Sequence, residues 1–198
     1  MKKVIFTIVA LCIIGTSSMS AQAVWGARIG VSKPMLTISS DGYSDSWDGV
    51  FGLEVGPVLY YSIKNNFYLN TAAMFSIKTF KDDYDGESYK LNAYFVDIPL
   101  YAGYNFKLGK VGLYAQAGPY VGFKVAENEK YDGQTYTDDP MFSSIDAGLG
   151  FMAGVNIKRF KVELGYQLGL ANTLNKAWRD GDDKMHINSL FLGVGFVF

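Results

Sequence analysis

The chain has 198 residues, 49% of them hydrophobic and 16% aromatic, with 22 glycines, one cysteine and a formal net charge of −1. So little charge excludes a general nucleic-acid binder, which needs a basic excess to displace counterions from a phosphate backbone. Fourteen Tyr, fourteen Phe and three Trp exclude a disordered chain.

No apolar run in the body of the chain reaches the roughly 20 residues of a membrane-spanning helix. In chain order, the first element is a targeting segment. Lys2 and Lys3 precede an apolar stretch, residues 4–15, followed by small and polar residues ending Ala21-Gln22-Ala23. This is the three-part pattern of a secretory signal peptide, residues 1–23, with cleavage expected after Ala23. Cys12 lies inside the apolar part behind Leu11, which does not fit a lipoprotein signal. The expected mature domain, 24–198, then has no cysteine, so neither disulfides nor thiolate metal sites are available to it.

From Trp25 onward the hydrophobic period is two, the mark of strands with one apolar face. Trp25, Ala27, Ile29 and Val31 alternate with Gly26, Arg28, Gly30 and Ser32. Further alternating strands start near Phe51, Phe67, Val96, Leu113, Ile145, Val162 and Leu190, which makes eight. Pro57, Pro99 and Pro119 fall inside three of them and cannot donate to a ladder, so bulges are expected there.

The connections alternate in length. Long polar stretches are expected at about 33–49, 81–90, 125–143 and 171–186, whereas the others are as short as Lys64-Asn65-Asn66 or Lys158-Arg159. Fifteen of the 19 acidic residues lie in the long stretches, and the short turns carry Lys64, Lys107, Lys110, Lys158 and Arg159 with no acid. Tyr61, Phe67, Tyr104, Phe106, Phe160, Phe196 and Phe198 cluster near the short turns and the C-terminus, as an aromatic girdle would. The pattern predicts an all-β fold, an eight-stranded antiparallel up-and-down transmembrane β-barrel with both termini periplasmic.

Which face meets lipid follows from composition. The apolar face is nearly free of charge on every strand, while the other mixes glycines with a few charges and amides. Glycine weakens a water-exposed strand but makes room inside a narrow barrel. A polar lumen network of Arg28, Glu54, Lys78, Asp97, Gln116, Lys124, Asp146, Glu163 and Gln167 is therefore expected, with Lys161 as a fourth base. Enclosed charges must pair or each carries a desolvation cost of several kcal/mol, and eight strands leave little room for an aqueous path.

Evidence for catalysis is weak. His186 is the only histidine, and Ser189, three residues on, falls on the opposite strand face. Asp82-Asp83-Tyr84-Asp85-Gly86-Glu87 and Asp180-Gly181-Asp182-Asp183 lack the full carboxylate spacing of a calcium loop and suit solvated loop tips that bridge divalent cations at a lipopolysaccharide surface. No enzyme activity, cofactor or metal site is expected.

The stretch Tyr94-Phe95-Val96-Asp97-Ile98-Pro99-Leu100-Tyr101-Ala102-Gly103-Tyr104, followed by Gly112-Leu113-Tyr114-Ala115-Gln116-Ala117-Gly118-Pro119-Tyr120, resembles the PorT-like outer-membrane β-barrel domain family of small porin-like proteins. Asp146-Ala147-Gly148-Leu149-Gly150 and Glu163-Leu164-Gly165-Tyr166-Gln167-Leu168-Gly169-Leu170 resemble its later strands. The resemblance implies a Gram-negative outer-membrane location and no catalytic residues, with a link to protein secretion in a few members. Gly193, Phe196 and the C-terminal Phe198 resemble the signal read by the barrel-assembly machinery, although Phe191 stands where that signal usually has a polar residue. The expected function is a non-enzymatic, monomeric surface or envelope protein that contacts outer-membrane lipid and lipopolysaccharide. The alternatives are a narrow porin-like channel for small solutes and an accessory component of a secretion machine.

Overall fold

The computed structural model describes residues 23–40, 43–84, 87–108, 111–131, 134–136, 140–179 and 181–198. The expected signal peptide therefore lies outside the described residues, apart from Ala23, which opens the first strand. The same holds for the loop tips at 41–42, 85–86, 132–133 and 137–139, and for residue 180.

Ten strands are described: β1 (Ala23–Ser40), β2 (Tyr43–Lys64), β3 (Phe67–Ala72), β4 (Met74–Tyr84), β5 (Glu87–Leu108), β6 (Val111–Tyr131), β7 (Gln134–Tyr136), β8 (Ile145–Ile157), β9 (Phe160–Gly169) and β10 (Lys184–Val197). They form eight staves. β3 and β4 are two halves of one stave, interrupted at Ala73, and β7 is a short return against the outer end of β6. All pairings are antiparallel, and β1 pairs with β10 from Gly26↔Val197 to Ser39↔Lys184, which closes the ring. Closure pairs each of the eight staves on both sides, and β7 alone among the described strands has a single neighbour, β6. The start of β1 and the end of β10 lie at the end that carries the short turns, since Ala23 faces Tyr61 and Gly26 faces Val197.

Each expected strand is present, with its faces as the alternation assigns them. The boundaries differ at the far end. Most of 33–49 and 81–90, and the first part of 125–143, continue as paired strand rather than loop. Backbone pairing persists there although the lipid-facing pattern that betrays a strand has ended. Among the described residues the connection after β9 is largely irregular, with a single turn of 3-10 helix at Lys176–Trp178 capped by the Asn175 side chain, and so is the segment 140–144 before β8.

The prolines correct a second expectation. No register shift occurs at Pro57, Pro99 or Pro119. The ladder instead lapses beside them: at Ala73, opposite Pro57 and next to Pro99, where the Ala73 N–H still donates to the Pro57 carbonyl at 3.1 Å, and between Leu100-Tyr101 and Gly118-Pro119. A missing donor is accommodated here by dropping a rung, not by inserting a residue. One bulge does fall at a proline, Pro34, between Ser32 and Met35 of β1.

Two of the short turns contain left-handed residues. Asn65 and Asn66 have φ of 51° and 73°, values asparagine tolerates well, whereas Lys158 has φ of 57°.

The burial pattern is inverted relative to a soluble barrel. Ile29, Phe75, Leu100, Phe151, Leu164 and Leu192 are among the exposed hydrophobics, while Arg28, Glu54, Lys78, Asp97, Asp146 and Glu163 are buried. Only a surface that meets lipid makes such an arrangement favourable. Rings line the outer surface at the short-turn end, Phe67 to Tyr104 to Phe106 at 4.8 Å centroid spacing and Phe160 to Phe196 to Phe198 at 5.2 and 5.7 Å.

Candidate functional site

The interior of the ring is divided into layers along its axis. Nearest the short turns, Val58, Tyr60, Tyr68, Ala72, Met74 and Tyr114 pack together. Above them, Arg28 Nη1 lies 3.2 Å from Glu163 Oε1, and the Tyr114 hydroxyl donates to Glu163 Oε2. Gln116 accepts from the Tyr68 hydroxyl at 3.1 Å and donates to Met152 Sδ at 3.0 Å. The Arg28 guanidinium also sits 5.2 Å from the centre of the Phe191 ring.

The next layer belongs to Lys78. Its ammonium is 3.3 Å from Asp146 Oδ2, 4.0 Å from Asp97 Oδ2 and 4.6 Å from the Phe95 ring centre. Ser76 donates to Asp97 at 2.6 Å and Tyr120 to Asp146 at 3.3 Å. Charges with these partners can occupy a low-dielectric interior because each gains hydrogen bonds to an opposite charge or a hydroxyl.

Glycines create the space. A Cβ at Gly30 or Gly193 would strike the Phe191 ring, one at Gly150 the Tyr101 hydroxyl, one at Gly103 the Tyr68 ring and one at Gly154 the Tyr114 ring. Large inward side chains therefore lie over positions without side chains on the same, the adjacent or the next stave.

Eight of the nine expected network residues lie in or beside these layers. Glu54 is buried, with its Oε1 lacking a hydrogen-bond partner, and Gln167 is in hydrogen-bond contact with Tyr101. Lys124 is the exception. It stands at the far mouth, 2.6 Å from Glu127 Oε2 and donating to the Phe142 carbonyl. Glu127 in turn accepts from the backbone N–H of Met141 at 2.7 Å and of Phe142 at 3.2 Å. The cause is its height on β6, where the interior has turned apolar and the acid three residues on supplies the counter-charge.

Sequence reasoning missed that apolar layer. Leu36, Phe80, Leu91, Ala93, Phe95, Phe142, Leu174, Met185 and Ile187 form one buried cluster inside the far end of the ring. Phe142 and Leu174 come from two connections that fold inward and pair across the mouth. Their neighbours bind them down, Ser143 N to Thr173 O and Thr173 N to Met185 O, each at 2.7 Å. The signal lay in the inward register of the strand extensions, which carries Leu36, Leu91 and Ile187. Nothing local marks Phe142 and Leu174. Tyr114, Tyr120, Ser76 and Met152 are further partners on the inner face that the sequence pattern does not single out.

His186 points outward, with Nδ1 3.0 Å from the Ala171 carbonyl oxygen, while Ser189 is buried inside. Among the described residues no cluster of three or more His, Cys, Asp or Glu could hold a metal.

Solved structures of similar shape include Neisserial surface protein A, at TM-score 0.50 and 18% identity over 88% of this chain and 97% of that one. OprG from Pseudomonas aeruginosa, at TM-score 0.44 and 15% identity, covers 91% of this chain and 98% of its own. Ail of Yersinia pestis in complex with the heparin analogue sucrose octasulfate, at TM-score 0.42 and 18% identity, covers 89% and 99%. At such identities the likeness to the first bears on the fold alone. No curated protein matches the chain. The family model of the outer membrane protein beta-barrel domain matches residues 18–175. With a closed antiparallel ring, lipid-facing apolar rows and charges turned inward, the chain belongs to the outer membrane protein beta-barrel domain family and resides in the outer membrane.

Proposed function

We propose that this barrel is a closed, non-enzymatic envelope protein that acts through its surface, with the short turns and both termini in the periplasm and the long hairpins outside. The observation that carries this reading is the filled interior: two paired polar layers lie beneath an apolar layer capped by Phe142 and Leu174. An ion crossing it would have to break buried ion pairs and then enter a dry apolar plug, which costs far more than thermal energy. Single-channel recording of the refolded chain in a planar bilayer tests it. Silence is expected, and steady unitary conductance would instead establish the narrow porin-like channel.

The same reading assigns the partners. The acid-rich outer hairpins contact lipopolysaccharide through bridging divalent cations, and the apolar rows contact lipid. Gly193, Phe196 and Phe198 are read by the assembly machinery, and residues 1–23 are removed during export. The barrel is a monomer. Its resemblance to PorT-like barrels, carried by 94–104 and 112–120, makes an accessory place beside a secretion machine the second reading, which crosslinking in whole cells with identification of partners tests.

A further inference from the structure

At the short-turn end the interior opens into a pocket of about 320 Å³ lined by Tyr60, Tyr68, Asn156, Lys158, Arg159, Lys161 and the C-terminal Phe198 among others, with no Asp or Glu side chain among its described lining residues. Lys161 is only 8% exposed. Its ammonium is 3.8 Å from the ring centre of Tyr114, 4.5 Å from that of Tyr60 and 5.9 Å from that of Tyr68, and it donates to Asn156 Oδ1 at 2.8 Å. Rings stabilise the charge without consuming its protons, so the ammonium has donor capacity left for the pocket.

The hydroxyls of Tyr68 and Tyr114 are committed to Gln116 and Glu163 and that of Tyr60 is buried, which leaves Lys161 as the donor that faces the pocket from the interior. The nearby carboxylate, Glu163, is already taken by Arg28 and Tyr114. On the rim, Lys158 occupies a left-handed conformation that Asn or Gly adopts at lower cost, so turn geometry does not account for a lysine there. The rings of Phe160, Phe196 and Phe198 surround this end on the outside, which sets the pocket at the depth of lipid headgroups.

We propose that this pocket binds a phosphate group, held by Lys161 Nζ with Lys158 and Arg159 closing over it. Three cations suit a tetrahedral, multiply accepting anion better than a carboxylate with two oxygens. The phosphate comes from a lipid headgroup of the adjoining leaflet or from a soluble phosphate ester.

The full chain, isotope-labelled and refolded in a neutral, phosphate-free detergent, is titrated with dihexanoyl phosphatidylglycerol, with glycerol 3-phosphate and with acetate, and the side-chain amide signal of Asn156 is followed by NMR. At least one phosphate probe is expected to shift it saturably, at concentrations where acetate does not. A response to the lipid alone assigns a headgroup, and a response to glycerol 3-phosphate assigns a phosphate ester in general. Combining Lys158→Asn with Arg159→Gln is expected to raise the midpoint concentration at least tenfold without lowering the unfolding midpoint, since Asn suits the turn. No saturable shift with either phosphate probe, an equal shift with acetate, or unchanged affinity in a folded double variant would overturn the proposal.

Discussion

Arg28 and Glu163 meet across 135 residues of sequence, and Lys78 and Asp146 across 68. Removing one partner of such a buried pair leaves an uncompensated charge, typically at a cost of about 3–5 kcal/mol. Arg28→Met is therefore expected to lower the urea midpoint of the barrel in lipid vesicles by the equivalent of about 3 kcal/mol. Glu54→Gln, whose Oε1 has no hydrogen bond to lose, should cost less than half as much. Equal midpoints for Arg28→Met and the parent chain would refute a structural role for the pair. At this scale the inward direction of each side chain was legible, because period two assigns every residue a face. The choice of partner was not, since it depends on the stagger of staves that are distant in sequence. Lys124 shows the difference: its face was correct, but its height placed it with Glu127 instead of with the central acids.

The staves interlock through glycine and aromatic pairs. Gly150→Ala sets a methyl group against Tyr101, and overpacking of this kind costs about 1–3 kcal/mol. Tyr101→Leu in the same chain should recover part of that loss, and a double-mutant cycle on unfolding midpoints is expected to show coupling above about 0.5 kcal/mol. Simple additivity would mean that the two positions do not meet. The clamp at the far mouth is a separate element. Glu127→Gln removes the anion that Lys124 and two backbone N–H groups share, so amide exchange at Met141 and Phe142 should accelerate at least tenfold while exchange in β8 and β9 is unchanged. Strand existence and register were readable from alternation. The fate of the prolines was not, because dropping a rung or inserting a residue depends on the neighbouring staves. Here the gaps beside Pro57, Pro99 and Pro119 run together across β2, the β3–β4 junction, β5 and β6.

The whole molecule is an inside-out barrel, and that makes cheap predictions. An unboiled sample should run faster on a denaturing gel than a boiled one, and identical mobility would count strongly against a lipid-facing exterior. Phe142→Ala with Leu174→Ala takes the cap off the apolar layer but leaves the Lys78 and Arg28 layers intact. That variant is expected to stay electrically silent, and conduction in it would show that the cap alone seals the lumen.

What the amino-acid sequence determined by itself is the membrane barrel: eight amphipathic staves, their faces, the alternation of long and short connections, and the inward charges. These are local properties, written at a period of two and needing no knowledge of what lies across the ring. Only the tertiary structure decided which charges pair, that the interior far from the short turns is apolar and capped, and that a basic pocket opens among the short turns. Those features join residues from staves far apart in sequence, and their meeting is set by closure and stagger of the ring, which no single strand encodes.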